Sequence, residues 1–158
     1  MTQAEPITTT KTWDELALDA EVRSQVEQIV QWEAHGMTLF IGPMSLLHDT
    51  AALIARGKGS PAYRVDLAQL VATKPEDTKA HLDPIFDAAA RESAVLVVEG
   101  IEAAMAQRGG GGRQRAYLLQ RIQEYPGVVI IATTMRALAD DAFARRFQAV
   151  IQFTGAKK

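Results

Sequence analysis

The stretch Met37-Thr38-Leu39-Phe40-Ile41-Gly42-Pro43-Met44-Ser45-Leu46-Leu47-His48-Asp49-Thr50 decides the reading of this chain. It opens as a short run with no charged residue, breaks at Gly-Pro, and continues with helical composition. That is a strand, a turn and a helix. In open α/β sheets such a junction is where phosphate groups are held on backbone N–H groups. A phosphate-binding loop there needs interior glycines, a lysine and a Ser or Thr. Gly42 and Pro43 are present, Ser45, Leu46 and Leu47 fill the interior, and His48 and Asp49 stand at the lysine and hydroxyl positions.

Around this stretch the pattern alternates. Val22, Val26, Ile29 and Val30 fall on one helical face, and Gly36 is expected to stop that helix. Ser45 to Ala55 is helical, and Ala62 to Asp66 reads as a strand ending in an acid. Pro75 to Arg91 is a longer helix, which Pro84 is expected to kink or split. Val95 to Val98 and Val128 to Ala132 are fully apolar, as strands buried on both faces are. A helix over Arg113 to Tyr125 lies between them, and a short helix within Asp140 to Phe147 and a strand over Ala149 to Phe153 follow. Buried strands alternating with helices predict a three-layer α/β/α sandwich on a parallel sheet. The loops after Ile41, Asp66, Val98 and Ala132 then share one edge.

Composition excludes much. The 158 residues suit one domain, with residues 1–12 read as a flexible arm and 13–158 as the domain. No cysteine is present, so thiolate catalysis and disulfides are excluded, and His35, His48 and His81 show no metal-ligand spacing. A net charge of −2 gives no reason to expect nucleic acid. No apolar run approaches membrane-spanning length, and the polar, Thr-rich start does not resemble a signal peptide, so the cytoplasm is the expected location.

Taken in order, these segments resemble the AAA+ ATPases, which have the P-loop NTPase fold. The resemblance runs from about Trp13 to Phe153 and covers the large subdomain without the helical lid. Ala116 to Thr134 is similar to the family's helix and sensor 1 strand, and Ile85-Phe86-Asp87-Ala88-Ala89 to the helix before its Walker B strand. Asp141 to Phe147 resembles its arginine-finger segment. Within the family the chain looks most like the bacterial ATPases encoded beside phage-tail-like contractile injection systems.

The resemblance places His48 at the Walker A lysine and Asp49 at the magnesium-holding hydroxyl. Glu99 falls at the Walker B aspartate, Gly100 at the glutamate that polarises water, and Thr134 at the sensor 1 asparagine. Arg145 and Arg146 fall at the arginine finger. These substitutions imply a degenerate member, a pseudo-ATPase with no intact catalytic set and no bound metal. It would be a structural or regulatory partner of an active AAA+ paralogue or of a contractile injection assembly. Weak binding of ATP or ADP with magnesium stays open, as does the alternative of an ATP-binding or hydrolysing remodelling ATPase with non-standard motifs.

Blander readings stand beside these. His48 and Asp49 are a catalytic pair or surface residues opening a helix. Glu99 binds metal or caps the next helix. Arg145 and Arg146 serve a neighbour or pair with Asp140 or Asp141. The Arg108 to Arg115 stretch holds a phosphate or is a surface loop. Trp13 and Trp32 form a binding face or plug the core.

Overall fold

The computed structural model describes residues 4–33, 35–67, 75–101, 111–136 and 142–153. Six strands form one sheet: β1 (Ala4–Pro6), β2 (Gly36–Ile41), β3 (Ala62–Asp66), β4 (Val95–Glu99), β5 (Val128–Thr133) and β6 (Ala149–Gln152). Their spatial order is β1-β3-β4-β5-β2-β6. The five strands from β2 to β6 pair in parallel, and β1 alone runs antiparallel, against β3. The helices are α1 (Ala20–Val30), α2 (Met44–Lys58), α3 (Pro75–Arg91) and α4 (Gly111–Glu124).

Alternating side chains of the buried strands feed two cores. Leu96, Val98, Val129 and Ile131 join Leu82, Ile85 and Phe86 of α3 and Leu118 and Ile122 of α4 on one face. Val95, Val97, Val128 and Ile130 join Val22, Val26 and Ile29 of α1 and Leu47, Ala51 and Ile54 of α2 on the other. This is the expected three-layer α/β/α sandwich. Trp13 and Trp32 pack partly buried against the second core, the plugging role.

Three local expectations change. Gly36 does not stop α1, which ends at Val30 with Gln31 as its C-cap. Gly36 instead begins β2, where a Cβ would run into the indole of Trp32. Pro84 does not split α3, which continues from Pro75 to Arg91. Pro84 and Ala80 are both exposed, so water can take the carbonyl that the missing proline N–H leaves. Residues 4–6, read as part of the arm, form β1. The Arg108 to Gly110 stretch and Asp140 and Asp141 lie outside the described residues.

Candidate functional site

The register fixes which loops meet. Ile41 lies opposite Thr133 and Gln152, and Asp66 opposite Glu99, so β2, β3, β4 and β5 end on one edge. There β2 passes into α2 through Gly42 and Pro43 alone. Helix α2 starts at Met44 with Pro43 as an N-cap that makes no side-chain hydrogen bond. The Leu47 N–H donates to the Pro43 carbonyl at 3.1 Å and closes the first turn. Ser45, Leu46 and Leu47 are therefore helical, and Leu47 is fully buried.

Gly42 has a packing reason to be glycine. A Cβ there would stand 2.8 Å from Phe153 Cβ and 3.1 Å from the Phe153 carbonyl. The Gly42 N–H donates to the Thr133 carbonyl at 3.0 Å, tying the turn to β5.

His48, one turn into α2, bonds through Nε2 to the Glu99 carboxylate at the end of β4. The other Glu99 oxygen accepts from Arg64 Nη1 of β3 at 3.1 Å. Arg64 also reaches Glu5 of β1, at 2.6 Å through Nη2. Glu99 is a buried carboxylate with a residue on each side of it. Burial pushes its carboxyl up, but His48 and Arg64 outweigh that and hold it below its ordinary value.

A pH dependence follows. A carboxyl lowered in the folded state stabilises the fold above its unfolded value, here 4.5, and that stability is lost as pH falls through the folded value. The stability gap between wild type and Glu99→Gln, followed by urea unfolding from pH 7 to pH 3, should be constant above about pH 5 and shrink below it. A gap that grows on acidification would contradict the lowered carboxyl.

Asp49 does not pair with His48. Its carboxylate meets Lys11 Nζ at 3.2 Å. Thr134 is exposed just past β5, with no hydrogen bond to His48 or Glu99 among the described residues. Arg145 and Arg146 are exposed at the end of the 3-10 turn Ala142–Arg146, with no ion pair among the described residues. Two residues later the Gln148 N–H donates to the Met37 carbonyl, level with the start of β2. A strand of this length spans roughly 17–20 Å, so these arginines lie toward the far end of the sheet from Gly42 and Glu99. Among the described residues no group of three or more His, Asp or Glu could hold a metal ion, and no helix is long and apolar enough to cross a membrane.

Sequence reasoning missed Arg64 and Lys11. An arginine in the middle of the strand Ala62-Tyr63-Arg64-Val65-Asp66 was the available signal, because a charge there needs a partner.

A mostly parallel sheet ordered in this way, helices on both faces and a strand-turn-helix junction beside a buried strand-end acid define a P-loop-type α/β domain. Residues 49–154 match the family described as "ATPase family associated with various cellular activities (AAA)", and the chain belongs to that family. Among solved structures it is similar to one described as "Crystal structure of FIGL-1 AAA domain". The TM-score is 0.71 at 13% identity, over 95% of this chain and 57% of that one. The chain thus spans little more than half the length of that structure. No curated protein matches it.

Proposed function

We propose that this chain is a AAA-family member that does not hydrolyse ATP and works as a structural or regulatory partner of another protein. The observation that carries this reading is the His48–Glu99 pair. The residues at the phosphate-binding and metal-organising positions of the family satisfy each other and leave neither free for a ligand. The first turn of α2 supports it. Leu47 is drawn into the core where a phosphate loop would expose backbone N–H groups. The residues present do not fit a magnesium nucleotide, and Asp49 would set an anion against its phosphates. Gly100, at the water-polarising position, offers no general base.

The partner in this reading is a protein, either an active AAA+ paralogue or a component of a contractile injection assembly. Arg145 and Arg146 are exposed and far from this chain's own site, so a neighbouring molecule is what they can serve. Adding the chain to such an ATPase should change its turnover, and an unchanged rate with no complex on a sizing column would remove this version.

The second reading is an ATP-binding or hydrolysing remodelling ATPase with non-standard motifs. In its favour, Pro43 provides no side-chain cap, which leaves first-turn N–H groups of α2 open to an anion. Thermal unfolding with millimolar ATP, ADP and a non-hydrolysable analogue, each with and without magnesium, separates the two. A Kd of about 100 μM would stabilise the fold by roughly 1–2 kcal/mol at those concentrations. No shift is expected. A magnesium-dependent shift, with turnover abolished by Glu99→Ala, would establish the second reading.

A further inference from the structure

We infer that the outer edge of β3 is an exchangeable strand-docking site. Residues 4–7 fill it in the resting chain. An extended segment of another protein, with a carboxylate opposite Arg64 and an aliphatic residue two places on, takes their place. This goes beyond the reading above and holds whether or not a nucleotide binds.

The strand β1 is an addition to the sheet. The parallel strands are joined to one another by crossovers, as their parallel pairing requires, whereas β1 pairs antiparallel through three residues. One further bond, from the Ile7 N–H to the Ala62 carbonyl at 2.9 Å, extends it. Among the described residues no other strand pairs on the outer side of β1, the last strand of the sheet. It can therefore leave without breaking another pairing.

Its side-chain grips are of the weak kind. Glu5 is 66% exposed in its pair with Arg64, and Lys11 54% exposed in its pair with Asp49. Exposed ion pairs contribute little to stability and are screened by salt. Arg56 donates to the carbonyls of Thr9 and Lys11 and steadies the return path along α2. Such a segment opens locally, well below the free energy of global unfolding.

What β1 covers is specific. Without it β3 would present a row of unpaired N–H and C=O groups, an edge that accepts another strand. Arg64 lies on the α2 side of that edge and selects an acid there. Ile7 packs on the same side, against the core of α1 and α2, and selects an aliphatic residue. The charge of Arg64 makes the site complementary to an acidic, extended segment. Because Arg64 also holds Glu99, a strand seated here touches the His48–Glu99 pair through one guanidinium.

The test uses the full chain. In the wild type, amide exchange at Ile7 and along β1 should be at least about 100-fold faster than at Ile130 and Val97, reporting local opening. In Glu5→Arg, which sets like charges opposite each other, a synthetic peptide of residues 2–12 at millimolar concentration should shift the amide signals of Tyr63, Arg64 and Val65. The same peptide carrying Glu5→Arg should not. Equal protection of β1 and the core strands would overturn the proposal, as would a peptide that moves no β3 signal. If the wild type instead dimerises with rising concentration and Glu5→Arg does not, the occupant is the arm of a second copy and the assignment to another protein falls.

Discussion

Replacing Leu47 with glycine is expected to lower the stability of the folded chain by about 4 kcal/mol, from the cavity left by a buried leucine and the cost of glycine inside a helix. In a chain of this size that corresponds to a melting temperature lower by roughly 8–16 °C. The substitution introduces the glycine that the resemblance to the family's phosphate loop implies for this position. In a phosphate-binding loop a glycine would be welcome, because it permits φ > 0 and close approach to a ligand. Here Leu47 is fully buried in the first turn of α2. A melting temperature unchanged within 2 °C, on the order of the shift expected from a surface substitution, would mean that this segment is not packed as described.

The second large effect concerns the partly buried His48–Glu99 pair. His48→Ala should cost about 1–3 kcal/mol, because it strips a partner from a carboxylate that stays buried. A cycle with Glu99→Ala isolates the coupling, since the double variant removes the stranded group as well. The expected coupling is roughly 1–3 kcal/mol, within the range found for groups in one network. The measurement is urea unfolding of the four proteins at pH 7. A coupling near zero would make the pair a solvated contact and remove the main support for a site closed on itself.

The strands and helices were legible because apolar periodicity is local. Val95 to Val98 and Val128 to Ala132 could hardly be anything but strands between two layers of helix, and they are. The end of α1 was misplaced because Gly36 looks like a helix stop. Its real constraint is a tryptophan ring four residues away, which no window statistic contains. The strand β1 was invisible because Ala-Glu-Pro has neither alternation nor β-branched residues. It exists because β3 offers it an edge.

The candidate site divides in the same way. Gly42, Pro43, His48, Asp49 and Glu99 were singled out by their order along the chain. That His48 bonds Glu99 and that Lys11 bonds Asp49 could not, since the partners are 51 and 38 residues apart. Pairings over such spans are set by tertiary packing and leave no local pattern.

The close packing of Gly42 against Phe153 has a practical consequence for labelling. The Phe153 N–H donates to the Ile41 carbonyl at 2.7 Å, and its ring lies 4.9 Å from that of Phe40. Strand β6 therefore ends at the lip of the β2–α2 turn. With no native cysteine in the sequence, a single thiol introduced at the exposed Gln152, opposite Ile41, would carry one fluorophore one strand away from the point where β2 turns into α2.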